Sequence, residues 1–573
     1  MRWVFTEWDS DAAKAVTKEL GVSPQLADLL VQRGYTDIED ARRFLSPRLS
    51  EIPDPSTMAD MDRAANRVAD ALVKGETIAI YGDYDVDGVT SSALLHRFLG
   101  GLGASVSVFI PDRFVDGYGL NAKRVQELVD ESLAVLITVD CGTSNPKEVA
   151  IAQDAGCDVI VVDHHKIPEK PAEPFALLNP VRSDCDFPNP RIAAVTVAFF
   201  LCIAIRRVLR ERGVFGDENP EPDVRALLEL VALGTVADVM PLSGLNRVMV
   251  SQGLKAINRQ PSLGMDALSI ASGIEDRPVR SSDLGFRFGP RINAAGRMTH
   301  ARGGFDLLTV SDADTARNLA RNLNQENQSR RDTERAVLDE AMEMAQQYAA
   351  DMPYSLVLYS PGWHLGVVGI VAARIREAFH RPTFILGQHP TDGCAKGSGR
   401  SISGFDLVEG LRHSADHLTQ FGGHAHAAGV TLDADSVDGF WAALEAHARS
   451  ILHEDDLVGE VRIDKELDPS QVNLSFWEEI ETMAPFGAGN PRPVFAFRNV
   501  SIASHRAVGD GSHLALQLEM GGQRLRGIAF GMADKAPLLS EPVDLAVQIT
   551  ENNFRGRRSA EFQVKSIRPA GSD

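Results

Sequence analysis

Cysteine is scarce in this 573-residue chain: five residues, Cys141, Cys157, Cys185, Cys202 and Cys394, scattered and odd in number. No CxxC pair occurs, so neither a disulfide framework nor a zinc ribbon is supported, and a reducing cytoplasm fits best. Long apolar runs are also missing. The longest uncharged one, Ile192 to Ile205, is too short to span a bilayer and reads as a buried helix, so no membrane role is indicated. The N-terminal MRWVFTEWDSD turns acidic before a signal-peptide core can form. With 48 glycines and 29 prolines the chain is too poor in both for a low-complexity polymer, and 44% hydrophobic residues suffice for a sizeable core. Positive charge is in deficit as well, giving a formal net charge of −21. That balance argues against general coating by nucleic acid. One stretch runs the other way: between Arg277 and Arg302, six arginines face a single acid, Asp283, and a basic groove there suits a polyanion.

The pattern of what is present changes along the chain. The first fifty residues carry short amphipathic stretches, SPQLADLLVQRG and TDIEDARRFLSP, each headed by Ser or Thr placed as a helix cap, which predicts a helical lead-in. From Thr77, apolar β-branched runs (TIAIY, SVSVFIP, LAVLITV, CDVIVV) alternate with helical segments, the pattern of a mostly parallel sheet covered by helices. Ligands of such sheets bind beyond the carboxyl ends of the strands. Helices follow from Asp223. Residues 312–350 then read as one long polar helix without Gly or Pro, of the kind that bridges two domains. A second α/β unit runs from about Tyr354 to Leu452, and from Ser501 onward short strands separated by Gly, Asn and Arg turns read as a small antiparallel barrel.

Candidate chemistry sits at strand ends. GDYDVDG places Asp83, Asp85 and Asp87 two apart, directly after a strand. Three carboxylates this close repel unless protons or a hard divalent cation neutralise them. A calcium EF-hand is ruled out, because its twelfth position is Leu94 and a strand rather than a helix precedes the loop. Asp140 follows LAVLITV, Asp163-His164-His165 follow CDVIVV, and Asp238 lies in TVADVMPL after an apolar helix. Taken singly, each has an ordinary explanation as a helix cap or packed histidine. Together they deliver carboxylate and imidazole to one edge of a parallel sheet.

In that order GDYDVDG, ITVDCG, VVDHH and ADVMPL resemble the four motifs of the DHH phosphoesterase superfamily. Further segments, FIPDRFVDGYGLN, FGPRINAAGRM, SGRS, FGGHAHAAG and PFGAGNPRPVF, extend the resemblance to the RecJ family of single-strand-specific exonucleases over nearly the whole chain. The resemblance implies an α/β protein in which a parallel-sheet DHH domain is joined by a long helix to a DHH-associated α/β domain, followed by an OB-fold β-barrel. The corresponding boundaries are 1–50 for the helical segment, 51–311 for the DHH domain, 312–350 for the helix, 351–455 for the DHH-associated domain and 456–573 for the OB fold.

The same resemblance implies two manganese or magnesium ions bridged by Asp140, with Asp85 and Asp83 completing the shell of one ion and Asp87, His164 and Asp238 that of the other, while His165 faces the scissile phosphate. It implies a 5′-phosphate pocket at Arg113, Ser398 and Arg400. Gly422, Gly423 and Gly429 would there offer amides to an anion beside His424, and Tyr118, Arg291, Arg297, Arg321 and Gln325 would line a single-strand channel. Two positions depart from the family pattern: Cys141 stands where relatives carry asparagine, and IAAVTVAFF lacks glycines expected at that helix start. The implied activity is 5′ to 3′ hydrolysis of single-stranded DNA to 5′-mononucleotides in recombination and repair. The chain would act as a cytoplasmic monomer, with single-stranded DNA-binding protein and a helicase as partners. Within the superfamily a phosphodiesterase for short substrates or a pyrophosphatase is the enzymatic alternative, and a catalytically dead strand-binding scaffold is the other.

Overall fold

The computed structural model describes every residue except 114, 131, 299–300, 349–350, 390–392, 521–522, 555 and 573. Its first sheet has five parallel strands in the order Val106–Phe109, Ile78–Tyr81, Val135–Val139, Asp158–Val162, Ala176–Leu178. Period-two alternation divides the central strands between two cores. Ile78, Ile80, Ile137 and Ile160 pack with the helices Val86–Gly101 and Ala194–Glu211, while Ala79, Tyr81, Leu136 and Val159 pack with Ala122–Val129 and Pro146–Asp154 on the other face. Strands buried on both faces explain why these runs lack polar alternation.

The helix Ala313–Gln346 is 34 residues long, about 50 Å at 1.5 Å per residue. Asp312 caps it by accepting from the Thr315 amide at 2.7 Å. Its N-terminal half buries Ala316, Ala320 and Leu323 against the first core, and its C-terminal half buries Val337, Ala341 and Ala345 against the next unit. The last two residues of the expected helix, 349–350, lie outside the described residues. The second unit is a five-stranded sheet ordered Gln420–His424, Ala427–Leu432, Ala395–Arg400, Thr383–Gln388, Leu356–Tyr359, antiparallel except for its last pair. The C-terminal sheet has seven strands and is mostly antiparallel, with Arg557–Pro569 beside Gln523–Ala529 in parallel.

The N-terminal segment differs from the helical lead-in expected of it. It opens with a strand, Arg2–Phe5, paired in parallel with Glu460–Ile463. Its helices Ser10–Leu20, Pro24–Gln32 and Ile38–Leu45 pack into the C-terminal core, where Val16, Leu30 and Phe44 meet Trp477, Phe495 and Phe562. Ser23 caps the second helix; the third is capped by Asp37, one residue beyond the expected Thr36. Among the described residues no helix is long and apolar enough to cross a membrane.

Candidate active site

The strand Ile78–Tyr81 ends in Gly82 and Asp83, and Asp85 caps the next helix by accepting from the amides of Asp87 (2.9 Å) and Gly88 (3.1 Å). A Cβ on Gly88 would lie 2.5 Å from the Asp83 carbonyl oxygen, so the helix start can sit against the strand end only with glycine there. Asp87, buried in the first turn, accepts from the amides of Ala194 (2.7 Å) and Val195 (2.9 Å). It therefore caps the glycine-poor helix Ala194–Glu211 from outside, where Ala193 provides no side-chain cap. Asp140 follows Val135–Val139 in the left-handed conformation at φ 62°, which aspartate tolerates better than most side chains. Asp238 ends the helix Leu228–Ala237.

These elements converge on His164. Its Nε2 lies 3.2 Å from Asp140 Oδ1, 3.6 Å from Asp238 Oδ2 and 3.8 Å from Asp87 Oδ2. Three groups have donor atoms within 4.8 Å of one another: Asp83, Asp85 and Asp140; Asp87, His164 and Asp238; and Asp140, His164 and His165. Asp140 is common to the first and last of these, and His164, 3.2 Å from Asp140, is common to the last two, so the groups are contiguous. Burial, followed by repulsion from Asp85, raises the Asp83 pKa to about 8, that of Asp87 to about 7 and that of Asp140 well above its usual range; burial, followed by Asp87, raises Asp238 to about 9. Burial and the neighbouring His165 lower His164 to about 4, so it is a neutral imidazole at pH 7. Asp83 Oδ1, Asp140 Oδ1 and Asp238 Oδ2 are buried and have no hydrogen-bond donor among the described residues. Orphaned carboxylate oxygens around a neutral imidazole fit a hard or borderline divalent cation, which would satisfy them and replace their protons.

Asp163 has a different place from its neighbours, and its residue type and position gave it no separate role. Its Oδ1 accepts from the amides of His164 (2.7 Å) and His165 (3.2 Å) and lies 2.7 Å from His165 Nδ1, while Oδ2 accepts from the Thr143 amide at 3.2 Å. Its oxygens are engaged, so it orients rather than ligates. Although burial opposes both shifts, the contact drives Asp163 below the usual carboxylate range and raises His165 to about 9. The hydroxyl of Tyr118 stands 3.2 Å from His165 Nε2.

Beside the carboxylates lies a cavity of about 570 Å³ lined by Arg113, Arg297, Ser398, Arg400 and Gly422. Arg400 donates to Ser398 Oγ at 2.8 Å, and Arg113 stacks 4.7 Å over the ring of Tyr84, within the triplet loop. A Cβ on Gly369 would lie 3.1 Å from an Arg400 guanidinium nitrogen, so glycine keeps the cavity wall open. Burial and then Arg113, Arg330 and Arg400 lower the Arg297 pKa to about 10, the mark of crowded cations. Gly423 and His424 do not line this cavity. FGGHAHAAG forms a hairpin with Gly422 opposite Gly429, and Gly423 is required by strand approach: its Cβ would meet the Ala427 carbonyl at 2.4 Å. Gly422 and Gly429, of the same hairpin, do line the cavity, while His424 Nδ1 accepts from the His426 amide at 3.3 Å.

The residues expected to line the strand channel differ in their placement. Arg291 is buried, and each of its three nitrogens donates inside the protein, to Asn324 Oδ1 (3.1 Å) and the carbonyls of Arg287 (2.8 Å) and Ala271 (3.2 Å), so three of its five N–H donors are engaged away from a strand. Arg297 faces the cation-rich cavity. The arginine-rich stretch is largely ion-paired: Arg277 and Arg287 with Asp283, Arg280 with Glu551, Arg302 with Asp306. Arg321 and Gln325 are exposed one turn apart on the long helix. A second, larger cleft of about 1090 Å³, unanticipated from sequence, runs from Val239 and Phe286 to Trp477, Phe486 and Arg492 of the C-terminal unit.

Comparison with known proteins matches the DHH family N-terminal domain to residues 77–235, the DHHA1 domain to 353–450 and the RecJ OB domain to 463–566. The single-stranded-DNA-specific exonuclease RecJ of Haemophilus influenzae is 38% identical over 539 residues, covering 92% of this chain and 93% of that protein. The crystal structure of RecJ from Thermus thermophilus in complex with Mn2+ is similar with a TM-score of 0.83 at 32% identity, covering 100% of this chain and 80% of that one. The Mg2+ complex gives 0.78 at 31%, with 100% and 79% covered.

Proposed function

The chain belongs to the RecJ family, and from that premise we propose that it is a metal-dependent exonuclease that degrades single-stranded DNA from the 5′ end, releasing 5′-mononucleotides in recombination and repair. The observation that carries this reading is the adjacency of two unlike sites: a cluster of buried carboxylates with orphaned oxygens, and an arginine-lined cavity beside it. A 5′-terminal phosphate held by Arg113, Arg297 and Arg400 would set the scissile bond against the carboxylates, because guanidinium forks grip phosphate oxygens in fixed geometry.

Two manganese or magnesium ions would be held by Asp83, Asp85 and Asp140 on one side and by Asp140, Asp87, His164 and Asp238 on the other. When bound, such a pair activates water and stabilises charge on the attacking and leaving oxygens. His165, kept cationic by Asp163, supplies a positive charge to a phosphate oxygen from the opposite side, with Tyr118 beside it. The carboxylates alone would repel the substrate, and the arginines and His165 offset that.

The division of labour follows the units: residues 51–311 for catalysis, 312–350 as the connecting helix, 351–455 for the phosphate, 456–573 for holding the strand, and 1–50 as a buttress of the last. The scarcity of cysteine, five scattered residues with no CxxC pair, supports a cytoplasmic setting. The proposal includes action as a monomer, with single-stranded DNA-binding protein and a helicase as partners.

The test is a time course with Mn2+ on 5′-labelled and 3′-labelled single strands, beside a blunt duplex, an EDTA control and Asp140→Ala. Immediate release of labelled mononucleotide from the 5′-labelled strand, a shrinking ladder from the other and an inert duplex are expected. Asp140→Ala should lose at least about 10³-fold in rate, the several kcal/mol that charge stabilisation contributes, while still binding strand. Full activity in that variant, or release beginning at the 3′ end, would overturn the reading.

A further inference from the structure

Asp238 reaches the site from a strained turn. The helix Leu228–Ala237 closes with the Val239 amide donating to the Val236 carbonyl (3.2 Å) and the Met240 amide to the Thr235 carbonyl (3.1 Å). Val239 takes the left-handed φ of 57° that at this position usually falls to glycine. A β-branched residue there is an outlier, and it persists only where the surroundings over-determine it. Val239 is 70% exposed, so its own side chain supplies little of that hold.

The hold comes from the residues that follow. The Pro241 carbonyl accepts from Asn246 Nδ2 at 3.1 Å, and the amide of buried Leu242 donates to the Ala488 carbonyl at 2.7 Å. Ala488 belongs to PFGAGNPRPVF, in the C-terminal unit. There Gly487 and Asn490 exchange backbone hydrogen bonds of 2.9 and 3.1 Å, and Asn490 Nδ2 donates to the carbonyls of Met483 (2.8 Å) and Pro485 (2.9 Å). The loop is fixed from the catalytic unit as well, by Arg247 Nη2 on the Ala484 carbonyl (2.8 Å) and Ser281 Oγ on the Phe486 carbonyl (2.7 Å). Its glycines press on the turn: a Cβ at Gly489 would lie 2.9 Å from Pro241 Cβ, and one at Gly487 would lie 2.7 Å from Leu242 Cδ1.

We propose that the loop Phe486–Asn490 is a positioning element of the catalytic centre: by clamping Pro241 and Leu242 it holds the strained turn that aims Asp238, so that one metal position of the first unit depends on the last. The inference rests on the reading of Asp238 as a metal ligand. It gives PFGAGNPRPVF a task apart from contact with DNA.

The test is Mn2+ titration of the full chain by calorimetry, with strand cleavage followed against Mn2+ concentration, for the natural sequence, Asp238→Asn, Gly489→Val and Gly489→Val with Val239→Gly. Gly489→Val should weaken one Mn2+ by about 10- to 100-fold, the usual effect of disturbing a ligand's support, and leave the other ion in place. Its cleavage should recover at raised Mn2+. Val239→Gly relieves the left-handed strain and should restore much of the lost affinity. If Asp238→Asn loses an ion while Gly489→Val binds both normally, or if Val239→Gly rescues nothing, the positioning role is overturned. If Asp238→Asn itself binds both ions normally, the ligand assignment fails instead. Should Gly489→Val not fold, Gly489→Ala carries the same Cβ conflict in milder form and is read in the same way.

Discussion

His165 is held from behind by Asp163, with Nδ1 2.7 Å from Oδ1, and its Nε2 is left to face Tyr118 and the open side of the site. Both oxygens of Asp163 are engaged within the protein; it orients the His165 ring and anchors the amides of Thr143, His164 and His165. Asp163→Asn keeps the shape but weakens the acceptor, so the expected result is a fall of about 10- to 100-fold in kcat with KM little changed. Mn2+ affinity should stay within a few-fold. Single-turnover rates beside a metal titration check this, and equal loss of metal binding would make Asp163 a ligand after all.

Arg400 donates to Ser398 Oγ in the wall of the cation-rich cavity, where Arg113 and Arg297 also project. A charged hydrogen bond to phosphate is worth roughly 1.5–3 kcal/mol, which is about 10- to 100-fold. Arg400→Ala should therefore reduce the preference for 5′-phosphorylated over 5′-hydroxyl strands by that factor and slow later steps less. Competition between the two strands in one tube measures it. An unchanged preference would move the terminal phosphate to another place.

Arg291 and Arg321 make a contrasting pair. Arg321 is exposed on the long helix, and losing one phosphate contact on a single strand lowers the slope of log affinity against log salt by about 0.7. Arg321→Ala should do that with stability changed by less than about 0.5 kcal/mol. Arg291→Ala should leave the salt slope alone. It strands the carbonyls of Ala271 and Arg287 and the Asn324 amide, so its cost appears in denaturant unfolding, at about 1–3 kcal/mol. The opposite partition would restore Arg291 to the channel.

The same pair shows which features the chain makes legible. Asp83, Asp140 and Asp163 were readable as strand-end acids because a buried parallel strand leaves an uninterrupted apolar run, and its end is marked by the first polar residue. The burial of Arg291 depends on a carbonyl twenty residues away in another helix, and no local pattern encodes that. Likewise Arg2–Phe5 becomes a strand only through pairing with Glu460–Ile463, hundreds of residues away, so its four residues carry no periodicity long enough to reveal it. FGGHAHAAG is ambiguous in a further way: Gly423, which close strand pairing requires, looks in sequence like Gly422 and Gly429, which line the cavity.

Stability of the metal-stripped protein should fall as pH rises. Asp87, Asp83 and Asp238, raised to about 7, 8 and 9, hold protons in the folded state that the unfolded chain released near pH 4. Above that value the folded state binds more protons than the unfolded, so unfolding free energy declines with pH through the window that ends near 9. His165, raised to about 9, adds in the same direction above pH 6.5, where His164, lowered to about 4, no longer contributes. A cation replaces these protons, so Mn2+ should bind more tightly and raise Tm more at pH 8.5 than at pH 7; at 100 times Kd the added stability is about 2.7 kcal/mol. Melting curves in EDTA and in Mn2+ at both pH values check this, with Asp238→Asn expected to flatten both the decline and the gain. A Tm in EDTA that does not fall over this interval, or an equal Mn2+ effect at both pH values, would mean that the carboxylates are not competing with one another for protons, and the case for a shared cation site would lose its electrostatic basis.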